Sequence, residues 1–443
     1  MSDFRSREPD PGVSPHPAPG PRWRDLDAID RSWAGVAYVR AFTGVDVPGA
    51  PALRSALLDL ARHRSEVGRW IDEAEPRWRP VDATEWDDWL DRSLAHDAEP
   101  GVTTQVGMER NLAPLAGPPI RVLAGPDWIS VRASHTASDG WANLAFVGEL
   151  LRRAAAFEAG QQAGGADVPW TVFSSRRRDA IIVRETVRRL PTLAHAVRHR
   201  RELAGGEYEP ASAAADSLAD RTYALADPQV IGRVRELRAA WFPDASAAAV
   251  VMTGLRATLE SADLPACRPG FECLFNTRDE RMGTATAWGN WSAGIYLRPA
   301  DDRSPDAVSE EMRRVRASGL PELAHASLRA RARRSSSATI TMPKAEGAPR
   351  LTMSYTAGRL ISDLVPGLRA GESEIGTWTR PNGTESITVQ AIECAGRLTV
   401  GLSFFPDVWP ADVVCGAVSA FLADPEPVLA SLPRRDAGRA IAP

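Results

Sequence analysis

The hexapeptide His135-Thr136-Ala137-Ser138-Asp139-Gly140 constrains this chain more than any other stretch of it. A strand-like segment, Asp127 to Ser134, runs into it, and a helix-like segment, Trp141 to Arg152, runs out of it. An HxxxDG pattern at such a junction ejects a histidine from a strand end into a turn, where it can face a cleft. The helix behind it offers backbone N–H groups without intrahelical partners to developing negative charge. This arrangement suits the deprotonation of a hydroxyl or amine and the holding of an oxyanion. The alternative is structural: Asp139 caps the helix and His135 is a satisfied polar residue of the turn. Of the seven histidines, no other is followed by an aspartate four residues on.

Composition narrows the class. At 443 residues the chain is long for a single core, so two domains or lobes are expected. Hydrophobic content of 44% and charged content of 25% are those of an ordinary soluble protein. A net charge of −4 argues against general nucleic-acid affinity. Cys267, Cys273, Cys394 and Cys415 form no CxxC pair and have no ligand-like spacing with histidine, which reads as structural or reduced thiols in the cytoplasm. The chain opens without a signal-like apolar core, and no run of about 18 apolar residues occurs, so no membrane span is expected.

Residues 1–22 carry few aliphatic side chains and are expected to be a disordered tail. Residues 23–175 read as an N-terminal lobe in the order strand, helix, strand pair, motif, helix, an α/β pattern. The helix after the motif is predicted to end near Ala159-Gly160, with a turn over 161–167. Residues 176–220 form a basic helix and connector: nine arginines fall between Arg176 and Arg201, against Asp179 and Glu185. There Ile181, Val183, Val187 and Leu190 are spaced for an amphipathic helix broken near Pro191. Residues 221–435 read as a C-terminal lobe that loosely repeats the first, with helices over 228–239, 245–260 and 305–317 and strands from 350 onward. Residues 436–443 are a tail. The cluster Arg329, Arg331, Arg333 and Arg334 before Ser335 reads as a mobile loop. His195 and His199 stand at i, i+4, but Ala196 fills the place of a zinc-protease glutamate and no third ligand is near. No metal site is expected.

Several segments occur in an order that resembles one superfamily. Pro118–Ala124, Gly125-Pro126 and Asp127–Ser134 look like the hairpin that leads into the active-site motif of nonribosomal-peptide condensation domains. Ala52–His63 is similar to the first helix of that family, which closes on an Arg-His pair. Phe275-Asn276-Thr277-Arg278, followed by Gly289-Asn290, resembles a later strand-Arg-Gly-Asn segment. Met353–Gly358 resembles the Ser-Asn-x-Gly strand, with Tyr355 in place of Asn, and Arg397–Asp407 resembles the closing strand. The likeness spans about residues 30–433 and extends to the chloramphenicol acetyltransferase and HxxxD acyltransferase relatives.

The resemblance implies two acetyltransferase-like α/β lobes set in a V with a tunnel between them. It implies a standalone acyltransferase of natural-product biosynthesis, expected to be a monomer; composition gives no expectation of a membrane or nucleic-acid partner. The donor would be a phosphopantetheine thioester, on coenzyme A or on an acyl or peptidyl carrier protein, and the acceptor a small-molecule hydroxyl or amine. No permanently bound cofactor is implied. His135 would be the general base, since an unperturbed imidazole titrates near pH ~6.5 and is largely neutral in the cell. Asp139 would pair with Arg278 across the lobes rather than serve His135, and Gly140 would keep the thioester path open. Ser354, Ser134 and Trp141 are candidates for an oxyanion contact or the tunnel wall. Condensation domains carry two adjacent histidines, and here the first is Ser134, which favours free-standing acyl transfer over ordinary peptide-bond formation. The same change leaves room for a catalytically lapsed domain that only binds a carrier protein, or for a tailoring enzyme acting on a carrier-bound substrate. The arginine-rich helix is either a solvated face or a docking surface for an acidic carrier protein or coenzyme A phosphates. It lacks the motifs of a nucleic-acid reader.

Overall fold

The computed structural model describes residues 22–31, 33–72, 74–112, 117–161, 167–192, 194, 221–227, 229–279, 283–334, 349–381 and 385–434. The fold is mixed α/β. Its strands in chain order are β1 (Arg24–Asp25), β2 (Ala37–Thr43), β3 (Arg69–Asp72), β4 (Arg77–Pro80), β5 (Leu94–His96), β6 (Ile120–Ala124) and β7 (Trp128–Ser134). The second half adds β8 (Arg221–Asp227), β9 (Phe271–Asn276), β10 (Ser292–Leu297), β11 (Arg350–Thr356), β12 (Glu374–Thr379), β13 (Ser386–Cys394) and β14 (Arg397–Phe404).

Three sheets result: a small one ordered β1-β4-β3, a five-stranded one ordered β12-β2-β7-β6-β5, and a six-stranded one ordered β10-β9-β11-β13-β14-β8. The central strands read as continuous apolar runs because both faces are covered. Every residue of β7 and β13 is buried. One apolar cluster lies under the five-stranded sheet, with Phe42, Leu53, Trp89 and Phe146 among its members. A second lies under the six-stranded sheet, with Phe242, Phe271, Phe404 and Phe421.

Four features depart from the sequence reading. First, β12 comes from the second half but pairs antiparallel with β2 in the first sheet, Thr377 opposite Arg40 and Thr379 opposite Tyr38. A division into contiguous lobes at residue 220 therefore does not describe the sheets. Second, the small sheet was not foreseen. Third, the segment around Arg329 is not a loop: a helix runs over Leu320–Arg334. Fourth, the helix Ser175–Arg188 turns a different face inward than its aliphatic spacing suggests. Arg178, Ile181, Ile182 and Glu185 are buried, whereas Val183, Val187 and Leu190 are about half exposed, at 55%, 57% and 50%. Ion pairs make that choice possible: Arg178 donates to Asp27 and Asp30, and Arg189 holds Glu185 at 2.6 Å. Residues 1–21, 195–220 and 435–443, with His195 and His199, lie outside the described residues. Among the described residues no helix is long and apolar enough to cross a membrane.

Candidate active site

β7 ends at Ser134, and the chain turns through His135–Ser138 into the helix Gly140–Glu158. Asp139 is its N-cap: the carboxylate accepts from Ala142 N–H at 3.1 Å, closing one of the helix's open donors. Ser134 stabilises the turn from within. It is 1% exposed, and its Oγ lies 2.7 Å from Thr136 Oγ1 and accepts Thr136 N–H at 3.2 Å. Both of these contacts lie within the turn.

His135 is partly exposed, and aromatic rings enclose it. Trp33 stacks on it at 5.0 Å between centroids, and Tyr38, from β2, packs against it at 4.6 Å. Its backbone N–H donates to Val36 O at 2.8 Å, which fixes where the ring starts from. Burial pushes the imidazole down to about 4, with Asp139 opposing and Arg40 reinforcing the shift. The ring is thus neutral at any ordinary pH. Asn290, fully buried, brings its amide Nδ2 to 3.4 Å from His135 Nδ1 while its Oδ1 accepts Ser292 N–H at 3.1 Å. The amide therefore packs against the Nδ1 edge of the ring and restrains its orientation.

Asp139 does not serve the histidine. Arg278 grips it with both terminal nitrogens, at 2.7 and 2.9 Å, in a bridge whose side chains are 2% and 1% exposed. Trp291 N–H at 2.9 Å and Ser292 Oγ at 3.2 Å also donate to it. Burial alone would raise the Asp139 carboxyl, but the guanidinium and these donors win and hold it below the ordinary range. Arg278 is anchored in turn on Ala287 O at 2.7 Å and Gly289 O at 2.9 Å, and its guanidinium lies over the Trp141 ring at 4.7 Å. Asp139, Trp141 and Arg278 are thus brought together at the start of the motif helix, where Gly140 is the first residue. Ser354 is not joined to that group by a hydrogen bond among the described residues: it lies in β11 opposite Gln390, while its neighbour Tyr355 donates to Glu393. A polar cavity of about 150 Å³ adjoins the bridge, lined by Arg278, Asn276, Arg189, Arg316 and Glu322, and His135 is not part of its lining.

Trp33 and Tyr38 are contacts that sequence reasoning missed, and Asn290, singled out only within the Gly289-Asn290 segment, was given no chemistry there. Tyr38 had a faint signal, as a polar-tipped residue inside an apolar strand. Trp33 had none, because nothing local says which turn will reach the motif.

No family model matches the chain, and no curated protein matches it in sequence. Solved structures do match its fold. The epimerization domain from the third module of tyrocidine synthetase B superposes with a TM-score of 0.57 at 15% identity, over 93% of this chain and 98% of that one. The trichothecene 15-O-acetyltransferase of Fusarium sporotrichioides gives a TM-score of 0.56 at 12% identity, over 93% and 95%. A variant of the starter condensation domain of rhizomide synthetase, in complex with C8-CoA, gives 0.55 at 14% identity, over 91% of each. The chain has the fold shared by nonribosomal-peptide condensation domains and acyltransferases of this kind. At these identities the likeness concerns architecture, and chemistry has to be argued from the site.

Proposed function

We propose that this protein is an acyltransferase of the condensation type. It moves an acyl group from a phosphopantetheine thioester, on coenzyme A or a carrier protein, to a hydroxyl or amine. The observation that carries the reading is a neutral histidine, held between Trp33 and Tyr38 at a strand-to-helix junction, beside a buried Asp139–Arg278 bridge. His135 accepts the proton of the nucleophile as its oxygen or nitrogen bonds to the thioester carbonyl carbon. The tetrahedral oxyanion then collapses, the C–S bond breaks, and the imidazolium returns its proton to the thiolate. A ring with low proton affinity gains basicity as negative charge grows next to it, so transfer is favoured only while the oxyanion forms. General-base help of this sort is worth roughly 10²–10⁴-fold. Arg278 and Asp139 are positioning residues: they neutralise one another and fix the start of the motif helix against β9 and β10.

The neighbour in complex with C8-CoA supports a thioester donor, and the trichothecene acetyltransferase supports a small-molecule acceptor. The test is incubation of the purified protein with acyl-coenzyme A and acyl-carrier donors against a panel of alcohols and amines, with products read by mass spectrometry. An ester or amide formed faster than in the protein-free control is expected. Carrier protein binding with no product from any donor would leave the lapsed-domain reading instead.

A further inference from the structure

We propose that Arg40 and Asn143 form a buried subsite for a carboxylate carried by a substrate that reaches His135. The identity of that substrate as acceptor or acyl group rests on the acyl-transfer reading; the subsite itself rests on geometry. Successive residues of a strand point to opposite faces, so Arg40 shares a face of β2 with Tyr38, which packs on His135 at 4.6 Å. Arg40 is only 6% exposed. Its Nε donates to Thr377 Oγ1 at 3.2 Å across the β2–β12 pair, and its Nη1 donates to Gly140 O at 2.8 Å. Every one of these acceptors is neutral. Arg40 forms no ion pair among the described residues, and the nearby carboxylate of Asp139 is already gripped by Arg278.

The remaining nitrogen, Nη2, makes no hydrogen bond among the described residues and lies beside Gly140, where a Cβ would stand 3.2 Å from it. A side chain there would crowd Nη2. Asn143, one turn into the 19-residue motif helix, is 1% exposed. Its Oδ1 faces Arg40 Nη1 at 3.5 Å, the orientation a cation enforces on an amide, and its Nδ2 is a buried donor with no partner. A buried amide without an acceptor is costly, and Arg40 Nη2, which keeps some accessible surface, lies beside the same helix N-terminus without an anion of its own. A carboxylate relieves both at once: one oxygen on Arg40 Nη2, the other on Asn143 Nδ2. Bracing of the Gly140 carbonyl accounts for Arg40 Nη1 but leaves these two donors unexplained.

Calorimetric titration of the full-length protein with N-acetylglycine and its neutral amide, N-acetylglycinamide, tests the subsite without requiring turnover. The acid is expected to bind roughly ten- to a hundredfold more tightly than the amide. That preference is expected to vanish in Arg40→Gln and to shrink in Asn143→Leu. Because the removed cation has no carboxylate partner, Arg40→Gln is expected to keep the wild-type circular dichroism and Tm. Equal behaviour of acid and amide in the wild type, or a preference that survives in Arg40→Gln, overturns the proposal. Rates with succinyl- against acetyl-coenzyme A, and with an amino acid against its amide, then place the carboxylate on the acyl group or on the acceptor. Acid-selective binding without any acyl transfer would sink the enzyme reading and leave the subsite standing; active enzyme without acid selectivity would do the reverse.

Discussion

At the scale of single residues, the site is governed by which charges are paired and which are not. Asp139 and Arg278 are paired so completely that neither is available for proton chemistry, and the pair is buried on both sides. Removing one partner strands the other, so Arg278→Ala is expected to cost about 3–5 kcal/mol in denaturant unfolding. A loss below 1 kcal/mol would mean that the bridge is dispensable. His135 forms no ion pair among the described residues, and burial sets its behaviour. Its low pKa of about 4 means that the basic form persists as pH falls through the range where an ordinary histidine would protonate. The acid limb of kcat/KM is therefore expected near pH 4 rather than near ~6.5, with a flat profile through neutrality. A limb near 6.5 would show that the ring is solvated during turnover. The identity of His135 was legible in the sequence because spelling and position coincided. Its partners were not: Asn290 lies 155 residues away in sequence and reaches the ring only through a turn whose destination is tertiary.

At the scale of elements, capping and periodicity carried most of the information that could be read in advance. The motif helix begins where an Asp-Gly start would place it and ends at Glu158, one residue before the expected Ala159-Gly160 stop. The helix Ser175–Arg188 shows where periodicity fails. Its aliphatic residues lie on two faces, and the buried one is the face whose Arg178 and Glu185 find partners, not the one with more valines. Ion pairing at a distance cannot be read from local spacing. Two substitutions separate the faces: Ile182→Ala is expected to cost roughly 2–4 kcal/mol, while Val187→Ser stays within about 0.5 kcal/mol. Urea unfolding of both variants checks this, and equal losses would show that the outward face is covered in solution.

At the scale of the whole molecule, β12 ties the two large sheets together. It pairs with β2 on one side and packs against β14, where Gly401 leaves room for its backbone: a Cβ there would come within 2.3 Å of Thr377 O. Gly401→Ala should therefore force the crossing strand away from β14. A loss of about 1–3 kcal/mol is expected, together with weaker activity, because Thr377 also supports Arg40. A variant as stable and active as wild type would mean that the sheets adjust freely. The mixed α/β class and three helices of the second half, those at Val230–Trp241, Ala247–Glu260 and Pro305–Ser318, were readable from pattern. The crossing was not, since six residues of ordinary strand sequence do not state which sheet they will join.

The central claim is that His135 removes the proton of the attacking group, and the direct measurement is the rate of thiol release in His135→Ala. With a donor and acceptor that the wild type couples, the substitution is expected to lower kcat by roughly 10²–10⁴-fold while leaving the circular dichroism unchanged. A folded variant that releases thiol and forms product at the wild-type rate would contradict the account.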